Sequence, residues 1–487
     1  MTTVGELLHQ GGDKRKQVGQ PVGGTPHLQV VEGGPDDERI SARAREIFRR
    51  ELHALVSRTA ESHELFERAR RTLPLGVAST FQSAKPYPIY LSHGRGAEVW
   101  DVDGTGYFDF HNGFGSMAVG HAHPKVVEAI ERAARSGTHF AVTTDVAVSF
   151  AEELCRRFGL ERVRFTNSGT EATMDAVRLA RAATGRDVVV KIEGSYHGHH
   201  DAVMYSVSPS LQLIREADES GVQPAASRGI PAALGRYTTA VPYNDIATVE
   251  QLFAERGPEI ACFILEPVMM NIGIVLPKPG YLQALRRLCT EYDVVLVFDE
   301  VKTGATIAAG GAAERFGVQP DLLCLAKSIT GGTPGGAVGG RAVLMDQIGQ
   351  GVAQQGTFNG NPLVAAAGLA TLTEVLTPDA YAHFARIGTR LAEGCRSAVE
   401  AHGIAAHTVD LGCKGCVSYR RAPLVDYRSF LDTDADLFDA SWAWLVNRGI
   451  FMTPGNEEQW TLSVQHEDVH VDRFVSAFGE FCAAVAG

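Results

Sequence analysis

Apolar positions along this chain follow two different periods. In DERISARAREIFRRELHALVSRTAESHELFERARRTL they recur every three or four residues among mixed charges, which predicts helix. Residues 76 to 115 carry short strand and turn signals, and Asp103-Gly104 in EVWDVDGTGYFDF marks a turn between two β-rich runs. From about 120 to 370 helical stretches alternate with the short apolar runs RVRFTN, DVVVKI, IACFILEP, VVLVFDE, DLLCLA and AVGGRAVL. Continuous apolar strands of this kind suit a mostly parallel sheet covered by helices on both faces. From 371 onward a long helix, a few strands and the closing helix DVHVDRFVSAFGEFCAAVAG predict a smaller α+β part. The expected fold class is therefore α/β. It comprises a flexible tail over 1–38, an N-terminal segment over 39–115 belonging to the small domain, a large domain over 116–370 and a C-terminal small domain over 371–487. The tail is rich in Gly, Gln, Pro and charge, a composition that buries too little apolar surface to order itself.

Composition narrows the function classes. The chain has 487 residues, 45% of them hydrophobic and 21% charged, as in ordinary globular proteins. Its net charge of −12 without a basic stripe argues against nucleic acid. No apolar run approaches the ~20 residues of a membrane span, and the N-terminus carries no apolar signal core. The eight cysteines sit mostly in apolar runs, as reduced core thiols would, so a cytoplasmic enzyme is expected. Cys413 and Cys416 form a lone C-x-x-C without a second pair, which reads as strand rather than as a zinc or redox site.

Ligands of open α/β sheets bind beyond the carboxyl ends of the strands, so strand ends are where chemistry is sought. RVRFTN runs into SGTEATMDAVRLARAATG, where Ser168, Gly169 and Thr170 open a helix. Free N–H groups and the positive end of the helix dipole suit a phosphate there, although Ser followed by Glu171 is also an ordinary N-cap. DVVVKIEG leads into SYHGHHD, whose histidines 197, 199 and 200 lack the i, i+4 spacing of a helical metal site, so no metal is expected. Tyr196 supplies a flat ring at that strand end, and Glu266 ends ACFILEP. The apolar run Val294 to Phe298 ends in Asp299 and Glu300, and the next, Leu322 to Ala326, ends in Lys327. An amine, a carboxylate, a phosphate cradle and an aromatic face together describe a site for pyridoxal phosphate, with Lys327 as Schiff-base lysine and Asp299 on the pyridine nitrogen.

With WDVDGTGYFDF, GHAHPKV, FTNSGTEATMDAVRLARAATGR, SYHGHHD, VPYND, LEPV, FDEVKTG, DLLCLAKSITGG and GTFNGNPL in one chain, residues 65 to 487 resemble the class III (subgroup II) aminotransferases of fold type I. The branch containing glutamate-1-semialdehyde 2,1-aminomutase is the nearest. The resemblance implies that Lys327 also carries the proton, that Gly169 and Thr170 bind phosphate, that Tyr196 stacks on the ring, and that Ser168, His197, Glu266 and Asn271 line the cofactor. It further implies a homodimer in which Thr357 reaches the phosphate of the neighbouring subunit. The expected substrates are a small-molecule amino donor and an oxo acceptor, the donor a β- or aryl-substituted amino acid. Intramolecular amino transfer, as in the aminomutase, is the alternative.

Three stretches depart from that pattern. Gln82, in PLGVASTFQSA, stands where the aminomutase has a carboxylate-binding arginine, and a neutral amide gives no charge-assisted clamp. Lys302, in DEVKTG, either adds a compensating positive charge to the site or turns away to solvent. The connection from about 206 to 240 is long enough to predict a lid, from which Arg228 or Arg236 would meet a substrate carboxylate. Glu458, in NEEQWTLSVQH, falls where the aminomutase has a gating glutamate.

Overall fold

The computed structural model describes residues 35–457 and 459–487. Its centre is a seven-stranded sheet built from β1 (Arg162–Thr166), β2 (Val188–Ile192), β3 (Thr238–Val241), β4 (Ile260–Leu265), β5 (Val295–Asp299), β6 (Leu322–Ala326) and β7 (Gly336–Gly340). The spatial order is β1-β7-β6-β5-β4-β2-β3. Neighbours pair in parallel except that β7 runs antiparallel to both β1 and β6. Strands β2, β4, β5 and β6 are buried along their whole length, because helices cover both faces of the sheet. Consequently the residues after β1, β2, β4, β5 and β6 all emerge along one edge.

Chain segments far apart in sequence form the remainder. The strands Leu91–Arg95, Glu98–Asp101 and Gly106–Asp109 make an antiparallel meander, closed by Ile450–Phe451 lying parallel to the third. The helix Pro35–Arg58 packs through Leu52 and Leu55 against Trp442 and Val446 of the helix Ala435–Val446. This helix begins at Pro35, so residues 35–38, assigned above to a flexible tail, are its first turn; residues 1–34 of that tail lie outside the described residues. A three-stranded sheet, His407–Asp410, Lys414–Ser418 and Trp460–Thr461, holds Cys416, and Cys413 precedes it. Both thiols are buried, and burial pushes each up to about 11, which suits inert core cysteines.

The expected lid takes another form. Residues 206–240 contain the helix Leu211–Ser220 and a 3-10 turn, Ala232–Tyr237. Arg428 of the C-terminal part holds this insertion down, pairing with Glu193 at 2.9 Å and with Asp218 at 3.0 Å. The Tyr427 hydroxyl donates to the Pro209 carbonyl at 2.9 Å. Helix formation and these contacts account for the extra length. Arg228 is exposed and Arg236 stacks on Tyr237 at 4.6 Å, so neither reaches the strand-end edge. Among the described residues no helix is long and apolar enough to cross a membrane.

Candidate active site

A cavity of about 440 Å³ lies at the carboxyl edge of the sheet. Its lining includes Ser168, Gly169, Thr170, Tyr196, His197, Glu266, Asn271, Asp299, Lys302 and Lys327, brought together from five strand ends. The turn after β1 contributes the cradle. Ser168 caps the helix Gly169–Thr184 by accepting from the Glu171 amide at 3.2 Å, and this capped helix N-terminus lines the cavity. Gly169 is required because a Cβ there would stand 2.7 Å from Val301, which packs the cradle onto the β5 end.

Asp299 closes β5 with its carboxylate held from two sides. One oxygen accepts from the Val301 amide at 3.0 Å, and the other lies 2.8 Å from His197 Nδ1. His197 is buried, and because a carboxylate only accepts, its Nδ1 is the donor in that bond. Burial and the Asp299 charge together push the Tyr196 phenol up, which keeps its hydroxyl protonated at the cavity wall. The neighbouring carboxylate behaves differently, as strand alternation requires. Glu300 points away from the cavity and accepts from the Ala312 and Ala313 amides and the Thr303 hydroxyl. Burial pushes its carboxyl up to about 7. Lys327 follows β6 at a φ of 54°, a sparsely populated conformation for a residue with a side chain, and opens a short 3-10 turn.

Across the cavity, Glu266 accepts from the Tyr196 amide at 3.2 Å and from the Met270 amide and Asn271 Nδ2 at 2.9 Å each. Lys302 is 6% exposed and donates to the Met270 carbonyl at 3.0 Å, so it belongs to the cavity wall and does not turn to solvent. Gln82 is exposed on a 3-10 turn and is not among the lining residues; its neighbour Phe81 is. Phe81 meets Tyr196 edge-on at 5.3 Å and Phe114 at 6.2 Å, an aromatic rim that sequence reading missed. Thr357 is exposed and lines no part of this chain's own cavity, although Asn359, two residues on, accepts from Asn167 Nδ2 at 2.9 Å. Glu458 lies outside the described residues.

Lys191 was also missed, since nothing in DVVVKI distinguishes its lysine from a solvated one. It is fully buried, with Nζ donating to the carbonyls of Ser195 and Tyr205 at 2.8 Å and of Val203 at 3.1 Å. Burial pushes the amine down to about 7, while three carbonyl acceptors match the three N–H groups of an ammonium. These bonds shape the turn that presents Tyr196 and His197. Lys191→Met, which leaves three buried carbonyls without their donor, is expected to destabilise the fold by about 3 kcal/mol in a denaturant titration.

The chain matches the class-III aminotransferase family over residues 80–409. A glutamate-1-semialdehyde 2,1-aminomutase of Desulfitobacterium hafniense is 40% identical over 417 residues, covering 84% of this chain and 95% of that protein. A transaminase with PLP bound superposes with a TM-score of 0.80 at 32% identity, over 88% of this chain and 98% of its own. A β-phenylalanine aminotransferase from Variovorax paradoxus gives a TM-score of 0.81 at 30% identity, over 91% and 97%. The fold is that of the fold type I PLP-dependent transferases. The chain belongs to the class-III aminotransferases.

Proposed function

We propose that this protein transfers an amino group from an apolar or aryl-bearing amino donor to a separate oxo acceptor. The cofactor is pyridoxal 5'-phosphate. The observation that carries the reading is that Lys327 and Asp299 close adjacent strands on one cavity, which the N-terminus of the helix Gly169–Thr184 also lines. The residues fit the group: a Cβ at Gly198 would stand 2.6 Å from Thr170 Oγ1, so only bare backbone fits beside the cradle. When bound, the cofactor supplies an electron-accepting ring for the negative charge that develops on the substrate carbon.

The chain's own groups do the rest. Thr170 and the first amides of its helix hold the phosphate. Asp299, positioned by His197, keeps a proton on the ring nitrogen. Lys327 would anchor the cofactor and would carry the proton at the substrate carbon. Phe81, Phe114 and Tyr196 give the donor's apolar group a surface that excludes water.

The choice of an external acceptor is supported by the insertion over 206–240, none of whose residues lines the cavity. A free oxo product can leave. The relative named as an aminomutase favours a second reading, rearrangement within one substrate. Incubation with single amino donors and an oxo acid decides between them. Release of free oxo product that depends on the acceptor supports transfer, whereas conversion of one substrate with no acceptor present supports rearrangement.

The working unit we propose is a homodimer. Phe140, Val142, Val148 and Phe358 are exposed, and Phe358 adjoins Thr357, so this face is suited to a second copy whose cofactor Thr357 would reach. Sedimentation is expected to give twice the 52.3 kDa of one chain. Thr357→Ala is expected to weaken cofactor retention about tenfold, read from absorbance after dialysis, as for loss of one hydrogen bond to a charged group.

A further inference from the structure

We infer that Asn112 is a positioning residue for donor selection. It locks a left-handed turn that holds Phe114 in the cavity rim, and so sets how well the site tells an aryl-bearing donor from a small one. This rests on the donor reading above and deepens it. The backbone carries the first observation. Asn112, Gly113, Phe114 and Gly115 have φ of 45°, 58°, 54° and 81°, four consecutive left-handed residues. Residues other than glycine visit that region singly, because Cβ crowds the following carbonyl oxygen. A bulky residue such as Phe114 stays there only where its surroundings impose it, and such strain gathers at functional sites.

Asn112 does the imposing. It is fully buried, and its Nδ2 donates to the Asp109 carbonyl at 2.8 Å and to the Thr461 carbonyl at 2.6 Å. Both neighbours only accept, so the nitrogen of the amide, not its oxygen, faces them. The two bonds tie the turn to the strand Gly106–Asp109 on one side and to the strand Trp460–Thr461 on the other. Asp109 adds support. One of its carboxylate oxygens accepts from the His111 and Asn112 amides at 2.9 Å each, and the other from His121 Nε2 at 2.6 Å. Asn112 Oδ1 is buried with no hydrogen-bond partner among the described residues, a cost that stability alone does not explain. Asparagine is also one of the few side chains that tolerate left-handed backbone.

What the turn delivers is Phe114. Gly113, Phe114 and Ser116 line the cavity, and the Phe114 ring lies 6.2 Å from Phe81 and 4.4 Å from His111. The flanking glycines leave no room for another path: a Cβ at Gly113 would stand 2.8 Å from Ser116 Oγ, and one at Gly115 would run into Lys414 Nζ. A turn released to right-handed dihedrals would swing the Phe114 ring off the rim. Lys327, Asp299 and the cradle sit on the strand-end edge and would stay where they are. Loss of the Asn112 bonds therefore costs selectivity for the donor's side chain rather than the whole site.

The test is calorimetric binding of two unreactive donor analogues, 3-phenylpropanoate and propanoate, to the holoenzyme, which needs no turnover. Asn112→Gly leaves left-handed backbone accessible but removes both side-chain bonds. It is expected to weaken 3-phenylpropanoate about tenfold, the scale of a lost aromatic contact, and propanoate by less than about twofold. Asn112→Ser, which also lacks the amide, is expected to move the same way and carries the test where the glycine variant does not fold. Phe114→Ala is expected to lose the same discrimination, and adding Asn112→Gly to it to change nothing further. Equal weakening of both probes would reduce Asn112 to a structural residue and overturn the inference, as would additive losses in the double variant. Failure of the donor reading shows separately, in a wild type that binds the aryl probe no tighter than propanoate, and it takes the inference with it. A missing visible band with added cofactor is the failure of Lys327 and leaves the probe comparison readable.

Discussion

Lys327→Ala is expected to abolish turnover and to remove the visible absorbance of the holoenzyme, including the part that borohydride bleaches. Lys327 lines the cavity at the end of β6 and is placed there by a backbone conformation that the preceding strand and following 3-10 turn impose. An alanine at 327 leaves the cavity without an amine at that strand end. General acid–base catalysis of this kind is typically worth ~10²–10⁴-fold, and loss of the covalent anchor adds to it. Cofactor affinity should fall less than activity, because the cradle at Ser168–Thr170 is untouched. Retention of the visible band in Lys327→Ala would show that another amine, Lys302 being the obvious candidate within the same cavity, makes the linkage.

The second large effect is expected at Asp299. Asp299→Ala removes the group that would hold a proton on the ring nitrogen and strips His197 Nδ1 of its acceptor. Removing one preorganised electrostatic group from an active site costs ~10²–10³ in kcat. Here the loss should sit at the upper end, since the bound cofactor would rely on that charge throughout turnover. Asp299→Asn keeps the shape and the bond to His197 but not the charge, so it separates the two contributions. It should fold like the wild type by circular dichroism, bind cofactor and still lose most of kcat. An asparagine variant with near wild-type kcat would mean that the ring nitrogen does not need a carboxylate in this enzyme.

The strands that carry the site were readable because parallel strands buried on both faces leave unbroken apolar runs, and those runs stop where the edge of the sheet begins. Asp299 and Lys327 stand at such stops. Cys413 and Cys416 were equally readable, as apolar-context thiols that the core absorbs. Lys191 was not. Its charge interrupts an apolar strand without announcing that three carbonyls from a later turn will meet it. Phe81 was overlooked in favour of Gln82, since neighbours on a 3-10 turn face different ways and only the packing against Tyr196 and Phe114 selects one. The 206–240 connection was read as a lid from its length, but length does not reveal that Arg428 and Tyr427, about two hundred residues on, contact Asp218 and Pro209 within it.

By itself the sequence determined the α/β class and the family, and it placed a lysine, a carboxylate and a helix-opening Ser-Gly-Thr at strand ends. These depend on local patterns: period, strand ends and a short helix-opening motif, each legible within a few residues. Tertiary structure alone decided that Lys302 lies in the cavity wall and that an aromatic rim stands at its mouth. Those outcomes follow from which distant segments pack together, and that depends on the summed burial of the whole chain rather than on any local run of residues.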